Sequence, residues 1–188
     1  EASEPIPAAT LIVMRKNASG PPELLMIQRT RTMSFAAGAI VFPGGRIDPD
    51  DQVVADRIGG GLDHAAARVA AIRETIEETG IAPAVMPRPD PPTMGQIRDA
   101  LEGGTAFSVV LDRFGLELDL AALVPLARWC PPAGSARRFD TIFFVSEAPD
   151  GMAEAPPAMA EAERLFWTDA AALLRDADDG QAPIYFPT

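Results

Sequence analysis

Two apolar runs open the chain. Residues 7–15 (PAATLIVMR) and 23–29 (ELLMIQR) are rich in aliphatic side chains and are separated by Asn17-Ala18-Ser19-Gly20-Pro21-Pro22. They predict two strands joined by a turn-rich hairpin connection. Residues 39–42 form a short apolar strand that runs into Pro43-Gly44-Gly45. The period then changes. From about His64 to Thr79, Ala65, Val69, Ile72 and Ile76 recur on one stripe, which predicts an amphipathic helix. Asp63 is placed to cap its start, and Gly80 stands where a helix usually ends.

The rest of the chain alternates in the same way. Residues 48–63 read as a polar, glycine-ended insertion with one helical turn at 53–58. Pro83, Pro87, Pro89, Pro91 and Pro92 make a connector that holds neither a helix nor a central strand. Helices are expected at 94–101 and 107–114, forming with the connector an insertion over 83–114. Strands follow at 126–130, 139–145 and 164–167, and a last helix at 170–177. Interspersed strands and helices predict an α+β fold, a mixed β-sheet covered by helices on both faces. At 188 residues the chain reads as one domain over 1–188.

Composition narrows the function classes. A 47% hydrophobic content fits a globular chain, and no apolar run approaches the roughly 20 residues a membrane span needs. The first residues lack the basic start of a signal peptide, so the expectation is a cytoplasmic protein without a membrane partner. The single Cys130 cannot form an internal disulfide. A net charge of −11 argues against binding nucleic acid through its phosphates, which needs a basic face. It does not argue against small anions, because a bound divalent cation inverts the sign of its own site. Oligomeric state is not written in the sequence, and a homodimer stays open as a partner arrangement.

The chemistry concentrates in Arg73-Glu74-Thr75-Ile76-Glu77-Glu78-Thr79-Gly80-Ile81. Glu74, Glu77 and Glu78 stand at i, i+3 and i+4 and share one helix face. Like charges so placed repel unless something positive sits among them. Ala67, Ala70 and Ala71 are small, and the expectation is that they leave room beside the acids for a ligand.

This stretch, entered from Val41-Phe42-Pro43-Gly44-Gly45, resembles the Nudix box G-x5-E-x7-R-E-U-x-E-E-x-G-U, with U a bulky apolar residue. Two departures stand out. Counted back from Arg73, the first glutamate of the box falls on Ala65, and Thr75 occupies an apolar slot. An insertion inside the box, with residues 33–48, 70–75 and 138–144, resembles the peroxisomal coenzyme A diphosphatase branch of that family.

The resemblance implies a Nudix-type α/β/α sandwich and a diphosphate hydrolase. It implies that Glu74 and Glu78 hold Mg²⁺ or Mn²⁺, hard ions that favour oxygen donors, with Glu77 a third ligand or a ligand through water. Arg73 would orient a box carboxylate, and Gly44 and Gly45 would let the backbone approach metal and substrate. Glu78 or Glu161 would serve as the base, with Glu163 the runner-up for the latter. The substrate would be a nucleotide-type diphosphate. Coenzyme A or acyl-coenzyme A is the first expectation; ADP-ribose, a nucleotide sugar or a dinucleotide is the second. Ala65 and Thr75 motivate a third reading, a binding module with reduced catalysis.

Arg29, Arg31, Arg137 and Arg138 are candidates for substrate phosphates, since a guanidinium matches phosphate geometry, although solvated arginines at strand ends are equally consistent. Trp129 and Phe139 could stack on a base or belong to the core. His64 is read as a surface residue, Asp48 as a turn residue, and Cys130 as buried and inert.

Overall fold

A computed structural model describes residues 4–32, 37–135, 138–151 and 162–184. Strands β1 (Ile6–Arg15) and β2 (Glu23–Arg29) are followed by two short strands, β3 (Ile40–Val41) and β4 (Gly44–Arg46). Helices α1 (Pro49–Ile58) and α2 (Ala65–Thr79) come next. A two-stranded ribbon, β5 (Val85–Met86) with β6 (Glu117–Leu118), brackets helices α3 (Pro91–Glu102) and α4 (Phe107–Phe114). The chain then forms β7 (Val124–Trp129), β8 (Phe139–Glu147), β9 (Ala162–Asp169) and α5 (Ala170–Asp178).

The main sheet is mixed. β1 lies parallel to β8 along its length, β7 closes the far side of β8 antiparallel, and β9 pairs antiparallel with β2. β1 and β2 meet only at Met14↔Leu24 and Arg15↔Glu23, then diverge. β3 pairs with β2, and β4 pairs with β1 through Ala8↔Arg46, Ala9↔Gly45 and Thr10↔Gly44, so the β3–β4 turn wedges into the split. That wedge carries the paired glycines toward α2.

Helices cover both faces, as the strand and helix order predicts. Alternation along β1 sends Ala9, Leu11 and Val13 into one buried cluster with Val69, Ile72 and Ile76 of α2. Met26, the neighbour of Leu25 on β2, points the other way and packs with Leu173 of α5. Each fully buried Leu or Ile contributes about 1.5–3 kcal/mol relative to exposure, which is why α2 seats against the sheet. Among the described residues no helix is long and apolar enough to cross a membrane.

Three expectations change. Residues 49–58 form a full helix rather than one turn: Pro49 starts it, Val54 and Ala55 bury, and Arg57 reaches Asp112 of α4 at 2.7 Å. Pro91 and Pro92 do sit in a helix, at its first positions, where the missing N–H costs nothing; Asp90 caps it by accepting the Thr93 N–H at 2.8 Å. The alanines of α2 do not border a ligand space. Ala67, Ala70 and Ala71 are buried with Val54 and Ala55 of α1, and their small size lets α1 and the sheet close on α2 from both sides.

Candidate active site

The cap position of α2 is held by His64, not Asp63. His64 is exposed and adopts a left-handed conformation with φ 60°, while Gly80 ends the helix at φ 68° with its N–H bonded to Ile76 O at 2.8 Å. Thr75 and Thr79 lie on the buried side. Their hydroxyls donate to the carbonyls of Ala71 and Thr75 at 2.7 and 2.6 Å, so a polar side chain in the apolar slot is satisfied within the helix.

The positive group among the acids is Arg73, and it is almost fully buried. Its Nε and Nη2 make a fork onto Asp51 Oδ1 and Oδ2, both at 2.9 Å. Nη1 reaches Glu74 Oε1 at 2.9 Å and Glu77 Oε1 at 3.2 Å, and Nη2 also donates to Arg46 O at 2.9 Å. Asp48 Oδ2 lies 3.8 Å away, and Asp48 doubles as the cap residue of α1.

Asp51 corrects the reading of Ala65. Counted forward from Gly45, the acid of the motif falls six positions on, at Asp51, so the extra residues lie between that acid and Arg73. Asp51 has no exposed surface, and its carboxylate also accepts the Asp48 N–H at 2.8 Å. The signal was in the sequence as Asp48-Pro49-Asp50-Asp51, an acid three residues after a cap residue with proline at the first helical position. Ala65 starts α2 and packs against the core.

The paired glycines bring the β3–β4 turn onto the acids. Gly44 N–H donates to Glu78 Oε2 at 2.9 Å. A Cβ on Gly44 would sit 2.5 Å from Ala9 O, and one on Gly45 would sit 2.4 Å from the Glu74 carboxyl. At Gly44 the clash is with backbone, so close approach requires the glycine; at Gly45 it is with a carboxyl, so a side chain there would push Glu74 out of place.

Burial sets the electrostatics. Desolvation pushes the Glu74 carboxyl up to about 7, with Glu77 adding to the rise and Arg73 opposing it. Glu77 and Asp51 are raised for the same first reason, again against Arg73. Burial works against the charge of Arg73, but the hydrogen bonds of Asp51 and the charges of Glu74, Asp51 and Glu77 outweigh it, and its pKa is raised.

The other candidates are scattered. Arg29 ends β2 with Nη1 3.8 Å from Glu78 Oε1, and its Nε is buried without a hydrogen-bond partner among the described residues. It is part of the acid cluster rather than a solvated strand end. Arg31 is exposed in the turn beyond β2. Arg138 lies by the β7–β8 connection, donating to Pro131 O at 3.0 Å with Nη2 3.7 Å from the Cys130 sulfur. Cys130, Trp129 and Phe139 are half-buried. Glu163 is exposed on β9, and Glu161 and Arg137 lie outside the described residues.

Among the described residues no three His, Cys, Asp or Glu side chains are gathered as a ready cation site. The donor chemistry fits a hard divalent ion all the same. Asp51, Glu74, Glu77 and Glu78 bring four carboxylates against two guanidiniums, Arg73 and Arg29, an oxygen donor set in excess of the fixed positive charge.

Known proteins resemble this chain in sequence and in fold. The family model for the NUDIX domain matches residues 5–186. A NUDIX hydrolase from Alicyclobacillus acidocaldarius superposes with a TM-score of 0.85 at 33% identity, over 99% of this chain and 88% of its own. A MutT protein from Methanosarcina mazei shares the fold, with a TM-score of 0.53 at 14% identity over 98% of this chain and 88% of its own. The acyl-coenzyme A diphosphatase NUDT19 of Gallus gallus is 29% identical over 65% of this chain. The match spans 47% of that curated relative, about half its length.

Proposed function

The chain belongs to the NUDIX domain family, and from that membership we propose that it hydrolyses the diphosphate bond of a nucleoside diphosphate linked to another moiety, with coenzyme A or an acyl-coenzyme A as substrate. The observation that carries the reaction class is the buried Arg73 fork, which holds Asp51, Glu74 and Glu77 in one cluster against Gly44 and Gly45. The substrate class is supported by the likeness to the chicken acyl-coenzyme A diphosphatase.

Glu74, Glu77 and Glu78 would hold Mg²⁺ or Mn²⁺. When bound, such an ion neutralises diphosphate oxygens and acidifies an attacking water. The chain's own groups do the rest. Arg73 fixes the rotamers of Glu74 and Glu77, so the donors need little reorganisation. The Gly44 N–H orients Glu78 through one oxygen, leaving the other toward Arg29. A carboxylate, Glu78 or Glu161, takes the proton of the water. Asp51 at the motif's first acidic position and the Thr75 hydroxyl bonded within its own helix weaken the reduced-catalysis reading, which rested on Ala65 and Thr75.

The test is a panel of coenzyme A, acyl-coenzyme A, ADP-ribose, nucleotide sugars and dinucleotides with Mg²⁺, products read by mass spectrometry and Glu78→Gln as control. Release of 3′,5′-ADP and a phosphopantetheine is expected from coenzyme A. Equal turnover of ADP-ribose would sink the substrate assignment, and no turnover of any compound would sink the hydrolase reading.

A further inference from the structure

We infer that Arg98, on the helical insertion, is a positioning residue for the carboxylates at the end of α2. The inference rests on the hydrolase reading of that site. α2 closes with a single bond from Gly80 N–H to Ile76 O, and the Ile81 N–H, which would serve the Glu77 carbonyl in a continuing helix, donates instead to Thr79 Oγ1 at 3.1 Å. The helix also has no basic residue in its own last turn. Arg98, reaching across from α3, fills both gaps.

Its Nε and Nη2 donate to the Glu77 carbonyl at 3.2 and 2.8 Å, placing a cation at the negative end of the helix dipole. Arg98 is 7% exposed, and burial lowers its pKa, with Glu102 and Asp99 opposing. Gly80 makes the approach feasible: a Cβ there would lie 3.3 Å from Arg98 Nη1 and 3.4 Å from its Cδ. The gripped residue is Glu77, whose carboxylate meets Arg73, and the next is Glu78, which meets Gly44. A fraying last turn would carry both acids away together, and a misplacement of about 1 Å can cost a reaction on the order of 100-fold.

Arg98→Met keeps the aliphatic stem and removes the fork; Arg98→Lys keeps the charge with compact donors. Two readings on the full chain decide the matter: residue-resolved amide hydrogen exchange and Mn²⁺ affinity by isothermal titration. In Arg98→Met the amides of Thr79, Gly80 and Ile81 are expected to exchange about tenfold faster, while the middle of α2 keeps its wild-type rates. Mn²⁺ affinity should fall by about tenfold as well, the scale of losing one supporting partner of a metal ligand, and Arg98→Lys should lie between. Ser108→Ala, which loosens the insertion where Ser108 meets Asp50, should leave the last turn of α2 unchanged. Wild-type exchange rates in Arg98→Met, or faster exchange with unaltered Mn²⁺ affinity, would overturn the inference. Should the methionine variant not fold, Arg98→Lys carries the same two readings. A wild-type chain that neither binds Mn²⁺ nor cleaves any diphosphate would remove the hydrolase reading instead. The exchange arm would still decide whether Arg98 holds the turn.

Discussion

At the scale of single residues, Gly44 and Gly45 look alike in sequence and differ in what surrounds them. A methyl at Gly44 meets backbone, Ala9 O, which cannot move aside; a methyl at Gly45 meets the tip of a flexible side chain, Glu74. Gly44→Ala should therefore destabilise the fold, by about 1–3 kcal/mol for overpacking. Gly45→Ala should leave the melting temperature close to wild type and lower turnover, because Glu74 swings away. Thermal melts beside turnover separate the two. Asp51 makes a second case. Asp51→Ala removes two hydrogen bonds from a buried guanidinium that keeps Glu74 and Glu77 beside it, so urea unfolding should report a loss on the order of 1–3 kcal/mol. Adding Ala65→Glu should restore none of it, since Ala65 lies elsewhere on the structure.

At the scale of elements, the pattern of apolar positions located most strands and helices, with residues 23–29 and 107–114 matching β2 and α4 at both ends. What it missed has physical causes. Half of α1 is polar, and its place depends on contacts far along the chain: Asp50 accepts from Ser108 N–H and hydroxyl at 2.8 Å. β4 is three residues with two glycines, and only its pairing with β1 makes it a strand. Asp51 was missed because an inserted segment can be counted from either end, and counting back from Arg73 passes over the cap-proline-acid pattern of Asp48-Pro49-Asp50-Asp51 that marks the helix start on the other side.

α2 also carries a pH dependence. The Glu74 carboxyl, raised to about 7 in the folded chain by burial, is ordinarily half-protonated near 4.5. Between those values the folded state binds more protons than the unfolded one, so stability falls as pH rises from about 4.5 to about 7 and then levels off. Urea unfolding in the presence of a chelator should show that slope in the wild type. Glu74→Gln should flatten it and be the more stable chain at pH 8. A wild-type slope of opposite sign would refute the assignment.

At the scale of the whole molecule, an acidic chain with net charge −11 sets four carboxylates against Arg73 and Arg29, with the Glu74 carboxyl, raised to about 7 by burial, holding its proton to higher pH. A divalent cation competes with that proton. Mg²⁺ or Mn²⁺ is therefore expected to raise the melting temperature more at pH 8 than at pH 5, with a chelator reversing the gain; scanning fluorimetry across pH reads this directly. Equal shifts at both values would count against metal binding by the cluster.

The segment between α1 and α2 joins Asp51 to Arg73 only through the covalent chain. The two side chains clasp each other independently of its path. Gly60 and Gly61 have positive φ and open space where a side chain would be. From Gly60 to His64 that stretch runs exposed between two fixed posts, with the Leu62 N–H bonded to Gly59 O at 2.8 Å. Doubling its length costs only about 0.6 kcal/mol in closure entropy, so a peptide tag spliced between Gly60 and Gly61 should leave both posts, and the knot they form, where they stand.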